Sequence, residues 1–62
     1  MLQWNVTIKA TKDPQKISRS TWVEQVRSID KVSARYEGLL QAEKRQPRYT
    51  LYETGAIIKA KA

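Results

Sequence analysis

The fold prediction starts from residues 48–55, which read Arg48-Tyr49-Thr50-Leu51-Tyr52-Glu53-Thr54-Gly55. Aromatic and apolar residues alternate here with polar ones, which predicts a strand over residues 48–52. The three residues that follow predict a turn, because Gly55 can adopt a positive φ. Residues 56–62 then form either a third strand, paired with the second as a hairpin, or a short terminal helix.

The segment in front of this stretch, residues 21–40, is predicted to be helical. Thr21 and Glu24 have the spacing of a capping box, so the helix should start at Thr21. On a helical wheel one stripe is apolar apart from Ser33 and should face the core; it consists of Trp22, Val26, Ile29, Tyr36 and Leu40. The opposite side carries three cations spaced four residues apart: Arg27, Lys31 and Arg35.

Three alternatives remain open for this segment. A break near residues 28–30 would give two helices, with Asp30 capping the second, and this is favoured. One continuous helix would have to accommodate Gly38, which costs about 1 kcal/mol relative to alanine. Residues 32–40 also alternate well enough to form a strand. Residues 41–47, which are polar and basic, are predicted to be a loop.

The N-terminus is predicted to form a strand over residues 2–10. Leu2, Trp4, Val6 and Ile8 alternate strictly with Gln3, Asn5, Thr7 and Lys9. The apolar face needs a cover, and the strand could form an open edge of the sheet, able to pair with another chain. Residues 11–16 are predicted to form a polar connector around Pro14, with Ile17 packed beneath it. The sequence thus predicts a small α+β domain over residues 1–62, with an N-terminal strand, one or two helices, and a C-terminal strand or hairpin.

Composition excludes several classes of function. The 62 residues include no cysteine and no histidine, which rules out thiol and imidazole chemistry and zinc sites that use either ligand. No pair of carboxylates is forced together, and there is no glycine-rich phosphate loop, so neither an enzyme nor a cofactor is expected. A chain of this size buries only roughly 60% of its unfolded surface, which makes a homodimer a reasonable expectation.

Charge points to a polyanionic partner. Twelve Lys and Arg against six Asp and Glu give a formal charge of +6, which attracts nucleic acid or an acidic protein surface. No apolar run approaches the ~18 residues of a membrane span. The N-terminal residues lack the pattern of a signal peptide. A cytoplasmic protein without membrane contact is therefore expected.

Residues 32–45, followed by residues 48–55, resemble the second half of a winged-helix DNA-binding domain. The resembling residues are Val32-Ser33-Ala34-Arg35-Tyr36-Glu37-Gly38-Leu39-Leu40-Gln41-Ala42-Glu43-Lys44-Arg45 and Arg48-Tyr49-Thr50-Leu51-Tyr52-Glu53-Thr54-Gly55. In that family a recognition helix leads into a basic loop and a wing strand. The chain departs from the pattern at Tyr52, where threonine is usual, and in its N-terminal strand, which replaces a helix.

The resemblance implies a regulator of transcription or recombination that contacts duplex DNA, and the small size, the basic charge and the lack of targeting signals fit a bacterial or phage protein. Lys31 and Arg35 would contact phosphates or base edges, with Arg35 expected at a guanine. Arg27 would lie at the helix entry. Wing residues would hold the phosphate backbone; they are Lys44, Arg45 and Arg48.

Two other functions compete with this one. A β-α-β-β domain with a basic face could inhibit or adapt a larger acidic protein, and an open edge of the first strand would permit β-augmentation. Alternatively, the chain could read DNA with a strand, as ribbon-helix-helix dimers do. The readers would then be the polar residues of the first strand, Gln3, Asn5, Thr7 and Lys9.

Overall fold

Strand β1 (Leu2–Thr11) forms where the alternation of the sequence is strictest, as predicted. In the computed structural model, which describes residues 1–13, 15 and 19–60, its even-numbered residues from Trp4 to Ala10 are buried, with Val6 and Ile8 fully so. Gln3 and Lys9, on the other face, are exposed. The predicted positions of Pro14 and Ile17 lie outside the described residues.

Strand β2 (Ser20–Ser28) occupies the segment predicted to be the first helix, so that prediction was wrong. Its period is two: Glu24, Val26 and Ser28 are buried while the residues between them are exposed. The alternation is hard to see in the sequence because the most buried position holds a carboxylate and an exposed one, Val23, is apolar. Thr21 and Glu24 have the spacing of a capping box, but both lie in β2 and no helix begins there.

The sheet has three antiparallel strands in the order β2-β1-β3. β1 is therefore the central strand, with both of its edges paired. The expectation of an open edge on the N-terminal strand was wrong, and the outer strands are β2 and β3. The order follows from the chain: β2 returns as a hairpin on one side of β1, and the helix carries the chain across to the other side.

Helix α1 (Lys31–Arg45) begins where the favoured alternative placed the second helix. The Asp30 carboxylate accepts a hydrogen bond from the backbone N–H of Ser33 at 2.8 Å, which is the expected N-cap. The helix continues to Arg45, so the basic loop predicted from residue 41 was wrong. The strand considered for residues 32–40 is likewise excluded.

The helix packs against the sheet with a row of small residues, Ala34, Gly38 and Ala42. A Cβ placed on Gly38 would lie 2.7 Å from Cγ1 of Val6, so only glycine allows the helix this close to β1. The predicted core stripe was wrong from Ile29 onward, because Ile29, which precedes α1, and Tyr36 are largely exposed and Leu40 is partly so. Trp22 and Val26 do contact the core, but from β2.

Strand β3 (Leu51–Lys59) runs through the predicted turn. Val6 pairs with Ile57 and Ile8 with Thr54, so Gly55 and Ala56 together lie opposite Thr7 as a bulge. No described glycine has a positive φ. The turn at Gly55 and the separate strand or helix after it were therefore wrong, while the small α+β domain with a C-terminal strand is confirmed.

Candidate nucleic-acid interface

A fully buried carboxylate, Glu24, organises the helix-covered side of the sheet. Its Oε2 accepts from the indole Nε1 of Trp22 at 2.5 Å. Its Oε1 accepts from Nε2 of Gln41 at 2.8 Å and from a guanidinium nitrogen of Arg45 at 3.0 Å. Three donors, one of them the cationic Arg45, offset the desolvation of the charge. Glu24 and Arg45 are thereby committed to holding α1 on the sheet.

Other carboxylates are also committed to internal contacts. Asp30 caps α1, and Asp13 accepts from the backbone N–H of Gln15 at 3.0 Å. Glu53 lies 3.5 Å from a guanidinium nitrogen of Arg19. Within the described residues, only Glu37 and Glu43 on α1 make no hydrogen bond or ion pair. Most of the negative charge is thus used inside the domain.

More cationic than anionic side chains remain without a partner in the described part of the chain. Six cationic side chains have no ion pair or hydrogen bond within the described part of the chain: Lys9, Lys12, Arg27, Lys31, Lys44 and Lys59. All six are exposed. The excess charge of the sequence therefore lies at the surface as uncompensated cations, which is the electrostatic requirement for binding a polyanion.

The face of the sheet opposite the helix, called here the open face, carries mostly polar side chains, together with the exposed apolar Val23 and Ile58 and with Glu53, which lies opposite Lys9 in the register. β1 contributes Gln3, Asn5, Thr7 and Lys9, and β2 contributes Thr21, Gln25 and Arg27. Register places Arg27 opposite Gln3 and Gln25 opposite Asn5, so the amides and the guanidinium are neighbours. Gln3 donates to Gln25 at 3.5 Å, a long bond that leaves most of this hydrogen-bonding capacity unused. Oδ1 of Asn5 is buried without a partner.

The six cations predicted to bind DNA do not share one surface. Arg27 lies on the open face, in β2 rather than at a helix entry. Lys31 and Arg35 occupy the first turns of α1, where Nε of Arg35 donates to Oγ1 of Thr54 at 3.1 Å. The common helical face predicted for these three residues was wrong, because β2 and α1 are separate elements.

The three predicted wing residues lie at the other end of α1. Lys44 and Arg45 belong to its last turn, about 20 Å from its first at 1.5 Å per residue, and Arg45 is bound to Glu24. Arg48 follows the helix, donates to Oε1 of Gln46 at 3.4 Å and lies 6.0 Å from the ring centre of Tyr49. Placing Lys44 and Arg45 in a loop between the helical region and the next strand was therefore wrong.

The outward surface of α1 is a poor match for a polyanion. It carries the apolar side chains of Val32 and Tyr36, which are 81% and 63% exposed, and both unpaired carboxylates, Glu37 and Glu43. The open face has the more suitable chemistry. The sequence identified its β1 residues as alternative contacts to DNA bases, but it did not identify Thr21 and Gln25. The signal that could have found them is the alternation of residues 20–28, obscured by Glu24.

Comparison of the chain with protein-family models, with curated proteins and with solved structures finds no match in any of the three. Over the described residues, α1 is too short and too polar to cross a bilayer. In the same part of the chain, no group of acidic side chains converges as metal ligands would.

Proposed function

We propose that this protein binds duplex DNA through the open face of its sheet, with a role in regulating transcription or recombination that would follow from such binding. The observation that carries the proposal is the combination on one exposed face of amides and unpaired cations. The opposite face is closed by α1, so the open face is the broad, solvent-facing surface of the domain.

The dimensions of the sheet support this assignment. Three strands spaced by roughly 4.8 Å place the outer backbones about 10 Å apart. The major groove of B-DNA is about 12 Å wide and accepts an α-helix or a two-stranded β-ribbon. A three-stranded sheet therefore fits only with its face turned towards the groove and its outer strands near the phosphates.

The side chains of the open face are chemically suited to base edges. The guanidinium of Arg27 can donate two hydrogen bonds to guanine, and an amide such as Gln25 can pair with adenine. Lys9 crosses β3 beside Gly55, where a Cβ would lie 3.4 Å from its Cε. Its ammonium group is free within the described residues to neutralise phosphate.

The distribution of charge favours this face over α1 as the contact surface. β2 occupies the place where a helix-turn-helix would have its first helix, so α1 has no partner helix to support it in a groove. Arg35 and Arg45 are engaged with Thr54 and Glu24. In the proposal, Lys31 and Lys44 contribute sequence-independent attraction only.

The test is a titration of labelled duplex DNA, followed by fluorescence anisotropy, with Arg27→Gln and its matched control Lys44→Gln. Both residues are exposed cations without a described partner, but Lys44 lies on the helix side. Loss of Arg27 should weaken binding about tenfold, the effect of one charged contact, and loss of Lys44 less than about threefold. A larger effect of Lys44→Gln would place the contact on α1 and overturn the assignment.

Salt dependence provides the second criterion. If several phosphates are neutralised, affinity should fall steeply, by orders of magnitude, between about 50 and about 200 mM salt. Absence of binding at the lower concentration would reject the function altogether.

A second candidate is binding to an acidic protein, as an inhibitor or adaptor. The observation that favours it is the exposure of apolar side chains on the same face: Val23 is 54% and Ile58 62% exposed. Strand addition would now have to use β2 or β3, because β1 is fully paired. No binding to duplex DNA at low salt, together with capture of an acidic partner that Val23→Thr abolishes, would establish this candidate.

A further inference from the structure

A cleft of about 450 Å³ opens at the end of the sheet where β1 leads out and β2 begins. Its polar lining comes from Thr11, Lys12, Asp13, Arg19, Ser20, Arg48 and Tyr49. Three of these side chains are cationic and one is acidic. The cleft lies beside the chain segments that join the elements rather than on the open face, so its function is separate from the duplex contact proposed above.

The cations of the cleft are weakly held. Lys12 has no side-chain partner within the described residues. Arg19 reaches Glu53 only at 3.5 Å, with both side chains about half exposed. Arg48 donates to Gln46 at 3.4 Å. Contacts this long contribute little, so the two guanidinium groups remain available to a stronger acceptor.

Three hydroxyl groups complete the lining, and that of Thr11 donates to the backbone carbonyl of Asp13 at 3.1 Å. The phenol of Tyr49 donates to Oγ of Ser20 at 2.9 Å. A serine hydroxyl has one proton to donate in addition to its lone pairs, so Ser20 retains a donor for a ligand. The sole acid, Asp13, already accepts from the backbone N–H of Gln15. The cleft therefore presents mostly donors.

An aromatic cluster forms one side of the cleft. The ring of Tyr49 is centred 5.7 Å from that of Trp22 and 6.0 Å from that of Tyr52. Tyr52 is fixed in turn, because its hydroxyl donates to the backbone carbonyl of Gln46. Tyr49 is thus a supported ring that remains partly exposed, as a surface for stacking a base would be.

From this arrangement we infer that the cleft binds the phosphate group of a nucleotide. Guanidinium groups pair with phosphate in a bidentate manner, and Lys12 and Ser20 add a point charge and a hydroxyl donor. The volume is within the range of ligand pockets and exceeds what a lone phosphate would fill. The nucleotide can be free or can be the phosphorylated end of a polynucleotide.

The test uses the full chain and the backbone amide resonances of its NMR spectrum. Adenosine 5′-monophosphate should shift the resonances of Lys12, Arg19, Ser20, Arg48 and Tyr49, whereas adenosine should not. A short single strand with a 5′-phosphate is the third ligand, and the same strand without it is the fourth. Binding of the monophosphate would show that a free nucleotide is enough to occupy the cleft. Binding of the phosphorylated strand, but not of the monophosphate, would show that the ligand is the end of a polynucleotide. Both results support the inference.

Two variants and one control sharpen the measurement. Arg48→Gln and Lys12→Gln should each weaken binding of the phosphorylated ligand about tenfold. Lys59→Gln, an exposed cation paired in register with Trp4 at the far end of the sheet, should leave it unchanged. Dispersed spectra of the unliganded variants show that they fold. Equal shifts with adenosine, or shifts away from the cleft, would overturn the inference, while the duplex titration of Arg27→Gln reports on the open face independently.

Discussion

The two faces of the sheet differ in how they use polar residues. On the covered face a charged residue, Glu24, is surrounded by donors and becomes part of the core. On the open face Asn5, Gln25 and Arg27 are neighbours with little to bond to. Polarity alone therefore does not show which residues the fold uses, but the number of hydrogen bonds they make within the chain does.

The two sides of α1 teach the same lesson for apolar residues. Its buried side is made of alanine and glycine, and its exposed side carries Val32 and Tyr36. Close approach to Val6 decides this arrangement, because a larger side chain at residue 38 has no room. Burial in this helix follows steric fit rather than hydrophobicity.

The largest effect is expected from Glu24→Ala. Removing the carboxylate leaves donors of Trp22, Gln41 and Arg45 without their acceptor and opens a void in the core. The free energy of unfolding should fall by about 3 kcal/mol, as for other broken buried networks. Urea unfolding followed by circular dichroism measures it.

The control for this prediction is Thr21→Ala, which removes a polar side chain from the exposed face of the same strand. It should change stability by less than about 0.5 kcal/mol. Equal losses for the two variants would mean that the network around Glu24 does not hold the covered face together.

Gly38→Ala should have the next largest effect. The new methyl group would collide with Val6, a stiff β-branched side chain that is fully buried. Overpacking of this kind costs about 1–3 kcal/mol, and alanine regains about 1 kcal/mol of helix propensity. The net loss in unfolding free energy should be about 0–2 kcal/mol.

A double-mutant cycle isolates the collision. Combining Gly38→Ala with Val6→Ala should give a smaller loss than the sum of the two single variants, because the methyl group then has space. Additive losses would indicate that the close approach of α1 to β1 is not what requires glycine.

How far the fold could be predicted from the sequence depends on how clearly each element shows its period. β1 was predicted because its alternation is strict, and α1 because Asp30 marks its start. β2 was missed because Glu24 carries a charge into the core, which no single-residue preference anticipates. Gly55 was assigned to a turn because a bulge and a turn use the same residue type, and only the pairing partner separates them.

The candidate site was predicted in its charge but not in its placement. The excess of lysine and arginine is visible in the composition, and the polar residues of β1 were identified as possible readers. Which cations remain free depends on contacts between distant segments, such as that of Arg45 with Glu24 across 21 residues. Assigning Arg27 to a helix moved it away from Gln3, its actual neighbour on the open face.

The smallest effect is expected at the outward surface of α1, with Tyr36→Ser. This side chain is 63% exposed and belongs to no described aromatic or hydrogen-bonded contact. The unfolding free energy should change by less than about 0.5 kcal/mol, in contrast to the loss at Gly38 half a turn along the same helix.

Urea unfolding at two protein concentrations, roughly tenfold apart, also tests for a homodimer, because mass action would make the stability of a dimer depend on concentration. A loss above 1 kcal/mol that grows with concentration would mean that a second copy covers this surface, and that large exposed side chains on α1 contribute to stability through association rather than through the core.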